Sequence, residues 1–468
     1  MRKKQDAQGR LDFQGSNLKL TNEYYAKYEA ISAALDETPR LLNMVHKDLE
    51  AALKDENRES RKRGGFVYTS EMVLRLALCQ TLECCSLRGI VVRVDDSLYL
   101  RRFTRIHEGP MMGHTTLCRL RNAIQPETWK SMNGSLAKAA VESGRITGEK
   151  LRMDTTAVET NIHWPSDSSL LWDCYRTLAR LIEKTREIDR DAVGPGRIHL
   201  KRTKKLATVI ARKARHKGKK AKDLKTIYER LISSIEGICG RSTQIAERLE
   251  GGEGLCCSPE LVEYRRILVE QFGHFVPLTR RVVWQASERV IHGRQVPNEK
   301  KIFSIFEEHT ELLKRGKAGK DIEFGHMIQI QQTGEKFITD YGVFDEKPVE
   351  PKQILPALNS HKNLFGHYPE SIAADKGYWS GDEFAKIPDK VKVVSIPKKG
   401  SRNKVERERE HDPLFRLAQA FRAGVEGSIS FLKRILGLGR CMNKGWQRYS
   451  STVGATILAH NLLVLTRC

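Results

Sequence analysis

Lys150-Leu151-Arg152-Met153-Asp154-Thr155-Thr156-Ala157 is the stretch on which the fold turns. Its residues alternate at period two, as a β-strand requires. Leu151 and Met153 face one way, and Arg152, Asp154 and Thr156 face the other. The segments before it read as helix, so the first strand begins near residue 150 with a carboxylate at its centre.

Beyond it, His326-Met327-Ile328-Gln329-Ile330-Gln331 alternates, Thr333-Gly334-Glu335 turns the chain, and Lys336-Phe337-Ile338-Thr339-Asp340-Tyr341 alternates again, which predicts a hairpin. A helix is expected over 352–365, ending at Gly366. Ser371-Ile372-Ala373-Ala374 reads as a strand running into Asp375, a short helix follows near 381–387, and Val391–Ile396 is a strand stopped by Pro397. The charged run 398–412 reads as a loop. The last long helix is expected over 414–436, with Leu414, Ala418, Phe421, Val425, Ile429, Leu432 and Leu436 as its buried stripe. Arg422, Glu426 and Lys433 share another face of that helix.

Working back from residue 150, Tyr24, Tyr28, Ile31 and Leu35 repeat at helical spacing, as do Leu41, Val45 and Leu49. Residues 61–65 look like a linker. Ser70 is positioned to cap a helix carrying Met72, Leu76 and Cys79. Shorter helices are expected near 86–94, 97–105 and 115–124, and one from Pro126 to about Ser143. Clusters of short helices can hold a helix-turn-helix. Residues 115–121, with Arg119 and Arg121, read either as its recognition helix or as a packing helix with solvated arginines. Between the first strand and the hairpin the chain returns to helical spacing over 168–190, 222–248, 258–272 and 276–290. Residues 197–225 hold 13 Lys or Arg against one acid, Asp223. Lys201, Arg202, Lys204, Lys205, Arg212 and Lys213 belong to this stretch, which reads as a DNA-contacting segment or as a solvated arm.

The expected organisation is therefore an amino-terminal region over 1–64, an all-helical DNA-binding domain over 65–147, a mixed α/β domain built from 148–167 and 301–468, and a basic helical insertion over 168–300. Composition agrees. The 468 residues are 40% hydrophobic, enough for packed cores, which argues against global disorder. Lys plus Arg exceed Asp plus Glu by 81 to 58, a net charge of +23. That points to a polyanionic partner, with nucleic acid ahead of a membrane surface. The ten cysteines are scattered with no Cys-x-x-Cys and read as reduced packing thiols. No stretch approaches the ~20 apolar residues that span a bilayer, and the charged start lacks a signal-peptide core. A soluble, cytoplasmic protein is expected.

Asp154 on the first strand, Asp375 at a strand end and Glu426 on the last helix are the candidate catalytic and metal-binding residues. Phosphodiester cleavage must activate a water, align its attack and stabilise a leaving oxygen, and two divalent ions can serve all three needs. Mg²⁺ takes oxygen ligands and keeps several waters, so a few carboxylates suffice. Read one at a time, each acid is equally a turn residue, a cap or half of a surface ion pair.

Four motifs in order resemble a DDE transposase of bacterial insertion sequences. They are Met153-Asp154-Thr155-Thr156-Ala157-Val158-Glu159-Thr160-Asn161-Ile162 followed by Pro165-Ser166-Asp167-Ser168; Gly319-Lys320-Asp321-Ile322-Glu323-Phe324-Gly325-His326; Ala374-Asp375-Lys376-Gly377-Tyr378; and Arg422-Ala423-Gly424-Val425-Glu426 with Lys433 beyond. The resemblance covers roughly residue 65 to the carboxyl end. It implies a ribonuclease-H-like mixed-sheet core, interrupted by the helical insertion and preceded by the helical domain. It implies Mg²⁺ or Mn²⁺ on Asp154, Asp375 and Glu426, with Arg422, Lys433 and Lys376 on DNA phosphates. The implied partners are double-stranded DNA, as transposon ends and target, and a second copy of the chain, in a bacterial cytoplasm at the nucleoid. Similar transposases often carry Tyr where this chain has Gln419. Competing expectations are a nuclease without strand transfer, a non-catalytic DNA-binding derivative and a basic membrane-surface protein.

Overall fold

The computed structural model describes Lys4 and residues 18–54, 68–214, 222–251, 258–314 and 321–466. The linker expected at 61–65, Gly319-Lys320 of the second motif and residues 215–221 of the basic stretch lie outside them. The chain is mixed α/β and forms two compact units, Met1–Asn161 with Gly325–Cys468, and Ile162–Phe324.

In the first unit, helices α1 (Lys19–Asp36), α2 (Pro39–Lys54), α3 (Ser70–Leu82), α4 (Leu87–Asp96), α5 (Leu98–Thr104), α6 (His114–Asn122) and α7 (Pro126–Glu142) precede β1 (Lys150–Glu159). The second unit holds α8 (Asp167–Ile188), α9 (Arg190–Val193), α10 (Leu200–Lys213), α11 (Lys222–Gly251), α12 (Pro259–Ala286) and β2 (Glu311–Lys314). The chain then runs through β3 (Ile322–Gln332), β4 (Ile338–Val343), α13 (Ile354–Phe365), β5 (Ser371–Ala373), α14 (Gly381–Phe384), β6 (Val393–Ser395), α15 (Lys404–His411), α16 (Pro413–Arg434) and α17 (Trp446–Leu465).

The strands form one mixed six-stranded sheet in the order β2-β3-β1-β5-β6, with β4 also on β3. β1 is antiparallel to β3 and parallel to β5, β3 is antiparallel to β4, and β5 is parallel to β6. Alternation along β1 feeds two cores. Leu151 and Met153 pack with Ile354 and Leu358 of α13. Val158, Ile328 and Ile330 join Val425 of α16, Val453 of α17 and Trp129 of α7 in a second core that also takes in the amino-terminal helices. Helices thus cover both faces of the sheet, which is what a partly parallel sheet requires. Buried Asn461 of α17 closes the edge of β4: its Oδ1 accepts the Ile338 N–H at 2.9 Å and its Nδ2 donates to the Ile338 carbonyl at 2.8 Å. The Ile162–Phe324 unit has its own core, in which α8 packs against α10, α11 and α12 around Leu171, Leu178, Leu231 and Phe272.

Several elements depart from the sequence expectation. The run 398–412 contains a helix, α15, started by a reciprocal cap: Asn403 accepts the Glu406 N–H at 2.8 Å and Glu406 accepts the Asn403 N–H at 2.9 Å. No residue of α15 is buried, so no apolar period announced it. The helices expected over 258–272 and 276–290 are joined in α12, with Pro277 inside. Phe272, Val276, Thr279 and Val282 continue one buried face across the junction, and packing outweighs the proline. Helix α17 had no amphipathic stripe to reveal it, because it is buried on nearly every side. Thr69 rather than Ser70 caps α3, accepting the Met72 N–H. Leu414 is 59% exposed, and Phe415 takes its place in the core. Among the described residues no helix is long and apolar enough to cross a membrane, and the described cysteines are all free.

Candidate active site

The parallel pairing of β1 with β5 sets Arg152 opposite Ala373. Asp154 stands two residues further along β1 and Asp375 two residues past the end of β5, and neighbouring strands are about 4.8 Å apart. The two aspartates therefore meet at the carboxyl end of β5. Burial pushes the Asp154 carboxyl up to about 6, and repulsion from Asp375 adds to it. The Thr155 N–H, donating to Asp154 Oδ1 at 2.8 Å, and the Arg422 guanidinium pull the other way. Asp375 Oδ1 accepts the Gly377 N–H at 2.8 Å and so starts the turn Lys376–Tyr378.

Helix α16 is fastened across this point by buried polar contacts. Arg152 is 3% exposed. Its Nε and Nη2 donate to Gln332 Oε1 at 2.9 and 2.6 Å, and its Nη1 donates to the Phe421 carbonyl at 2.7 Å. Burial lowers this guanidinium to about 10. Gly424 lies directly over it, and a Cβ there would overlap Nη1. The glycine beside the candidate glutamate, poor for a helix in isolation, is therefore required by close approach to the sheet. Gln332 Nε2 donates to Ser428 Oγ at 2.9 Å. Gln419 Nε2 donates to the carbonyls of Ala374 at 3.2 Å and Ser395 at 2.6 Å, tying α16 to the residue before Asp375.

The same helix delivers Arg422, which stands between two carboxylates. Its Nη1 is 3.5 Å from Asp154 Oδ2 and its Nη2 is 3.3 Å from Glu426 Oε1. The pair at i, i+4 foreseen on this face exists, and Asp154 extends it inward. Glu426 is 67% exposed and is linked to Asp154 through Arg422. Among the described residues no group of three or more His, Cys, Asp or Glu is gathered closely enough to hold a metal ion. The site thus brings Asp154 and Asp375 together, and joins Glu426 to Asp154 by a cation.

A further carboxylate enters that the sequence gave no reason to select. Glu350, in the turn leading to α13, accepts the Thr155 hydroxyl at 2.6 Å through Oε1 and adds to the repulsion felt by Asp154. Gly377 makes room for it, since a Cβ there would overlap Glu350 Oε2. Glu350 belongs to no motif, and only the fold connects it with Asp154. Tyr378 is fully buried beside these acids, its hydroxyl accepting Gln329 Nε2 at 3.2 Å, and burial pushes its ionisation well up.

The candidate DNA contacts divide by exposure. Lys376 is exposed, and Lys433 is half-buried, seven residues and roughly 10 Å along α16 from Glu426. Arg119 is exposed on α6, whereas Arg121 is 9% exposed and turned into the core, where burial lowers its pKa. Arg121 is thus withdrawn from any ligand at the surface. Lys201, Arg202, Lys204, Lys205 and Arg212 are exposed on α10, and Lys213 lies 3.5 Å from Asp223. Thr203, Ala207 and Ile210 are buried beneath them, so residues 200–213 form an amphipathic helix with a cationic face rather than a solvated arm. No family model, curated protein or solved structure matches the chain.

Proposed function

We propose that this chain is a DDE-type DNA transposase, binding the terminal inverted repeats of an insertion sequence and catalysing metal-dependent strand cleavage and strand transfer. The observation that carries the reading is the convergence of Asp154 and Asp375 at one sheet end beneath a helix that presents Arg422, Glu426 and Lys433. A mixed sheet with β1 between an antiparallel hairpin and a parallel pair supports a ribonuclease-H-like core. The sequence motifs supply the family.

The donor chemistry fits Mg²⁺ or Mn²⁺. Two carboxylates kept close despite mutual repulsion are hard oxygen ligands, the kind that Mg²⁺ takes in ones and twos alongside waters. Asp154 and Asp375 would hold the ion, and Glu426 would join them once Arg422 releases it. A bound divalent ion supplies water activation and stabilisation of the leaving oxygen. The chain supplies the rest. Arg422 exchanges its carboxylates for a DNA phosphate, for which its planar fork is suited. Lys376 and Lys433 add further phosphate contacts, and Arg152 with Gln419 keeps α16 in place. Each transposon end needs an active site, so a dimer on DNA is part of the proposal.

A second reading has one observation behind it: Glu426 reaches Asp154 only through Arg422, as it would in a non-catalytic DNA-binding derivative. Incubation with Mg²⁺ and a labelled duplex carrying the repeats that flank the gene separates the readings. A transposase yields both cut ends and joined products. Cutting without joining leaves a nuclease, and binding with neither leaves the derivative.

A further inference from the structure

A cleft of about 500 Å³ opens in the Ile162–Phe324 unit, between α8, the segment leading into α10, and α11. Its lining includes none of the candidate carboxylates and is cationic. Arg197 precedes α10, Arg202 lies on α10, and Arg230 and Arg241 lie on α11. Arg197 opens the basic stretch read from the sequence, whereas Arg230 and Arg241 belong to no motif, and α11 brings both of them to Arg197 and Arg202.

Several arginines elsewhere in this unit are matched to acids: Arg176 to Asp173, Arg186 to Glu183, Arg266 to Glu263 and Glu270, Arg289 to Asp167. Arg197, Arg202 and Arg230 have no carboxylate partner among the described residues, and Glu229 is the one acid in the described lining. Like charges gathered without counter-charge repel one another, and an anion relieves that repulsion. Arg241, held against Gly194 with its Nη2 donating to that carbonyl at 3.4 Å, is pushed down by burial and by Arg186.

The shape selects among anions. On α11, Thr226, Arg230, Ser233, Gly237 and Arg241 recur every three or four residues, so they form one stripe. Arg230 and Arg241 are eleven residues apart, roughly 16 Å along the helix. That span exceeds a single phosphate or pyrophosphate and suits a chain of phosphates. Thr226 and Ser233 place neutral hydroxyls in the same stripe, as donors to non-bridging oxygens. We infer that this cleft holds the phosphodiester backbone of one DNA strand, as a contact site separate from the carboxylate end of the sheet. The choice of DNA as the polymer rests on the transposase reading.

The test is DNA binding by the full chain in a metal-free buffer, so that cutting does not enter. A fluorescent duplex is titrated at several salt concentrations against wild type, Arg197→Ser/Arg230→Ser, and a control, Arg266→Ser/Arg294→Ser, that removes the same charge elsewhere in the unit. The cleft variant is expected to lose about tenfold in affinity and to lower the slope of log affinity against log salt by about two. The control is expected to move neither by more than about a third of that. Ser233→Glu, which adds a carboxylate and removes no arginine, should reproduce the loss, and Arg230→Lys should retain most of the binding. Equal losses in cleft and control variants, or no loss in Ser233→Glu, overturn the site. So does calorimetric binding of inorganic pyrophosphate that the cleft variant abolishes while DNA affinity stays unchanged, since the cleft is then a small-anion pocket. The two proposals fail separately. A wild type that binds through the cleft but never cuts removes the transposase, and one that cuts while the cleft variant binds normally removes the cleft.

Discussion

The sheet end and the helical unit use arginine in opposite ways. At the sheet end each guanidinium is committed within the protein: Arg152 to Gln332 and the Phe421 carbonyl, Arg422 to Asp154 and Glu426. In the Ile162–Phe324 unit, Arg197, Arg202 and Arg230 line an open cleft and have no carboxylate partner among the described residues. A buried cation with fixed partners positions an element, and removing it leaves polar atoms unsatisfied. An unpaired cation at a surface contributes little to the fold and is available to a ligand. On the proposed reading Arg152 serves geometry and the cleft arginines serve electrostatic grip, while Arg422 passes from its carboxylates to a phosphate.

That division is open to attack by experiment. The largest effect is expected at the carboxylates. Asp154→Ala or Asp375→Ala should lower DNA cutting by more than about 100-fold while DNA affinity changes by less than about threefold. Parallel loss of binding would merge the two roles.

A smaller effect tests the electrostatics of the site. The Asp154 carboxyl, pushed up to about 6, binds its proton more tightly in the fold than in the unfolded chain. Its contribution to stability is therefore fully present below about pH 4 and lost as pH rises through about 6. Asp154→Asn should consequently be more stable than wild type at pH 8, by about 2 kcal/mol, with the gain gone at pH 4. Urea denaturation at the two pH values reads this directly, and a pH-independent difference would mean that burial and the neighbouring Asp375 do not raise the Asp154 carboxyl.

Next comes the fastening of α16. Gly424→Ala puts a methyl into the Arg152 guanidinium and should destabilise by about 1–3 kcal/mol. Gly427 in the same helix has open space, and Gly427→Ala should stabilise by up to about 1 kcal/mol. Equal responses in thermal melts would show that the helix does not rest on Arg152. The smallest effect belongs to Arg121→Lys, which leaves DNA affinity within about twofold because the side chain is buried. A larger loss would return α6 to the DNA interface.

How much of this was legible depended on where side chains point. β1 and the β3–β4 hairpin were readable because alternation survives when a sheet is covered differently on its two faces. Asp154 and Asp375 were readable as strand residues and as parts of motifs. Three features were not. Helix α17 is buried on nearly every side, with Thr456, His460 and Asn461 buried beside its apolar residues, so no apolar stripe marks it. Helix α15 is polar apart from the exposed Val405, and only the Asn403–Glu406 cap marked it. Glu350 and the α11 arginines Arg230 and Arg241 depend on contacts between distant segments: Glu350 meets Thr155 across 195 residues. Spacing also left Arg119 and Arg121 equivalent, and packing separates them by turning Arg121 inward.

The central claim is that Asp154 and Asp375 form one divalent-metal site for DNA cutting. Its most direct test is end-labelled duplex cleavage with and without Mg²⁺, comparing wild type with Asp375→Ala. The account predicts cleavage by wild type that requires the metal and that Asp375→Ala abolishes while still binding the duplex. Cleavage that survives chelation, or that Asp375→Ala performs at the wild-type rate, would contradict it.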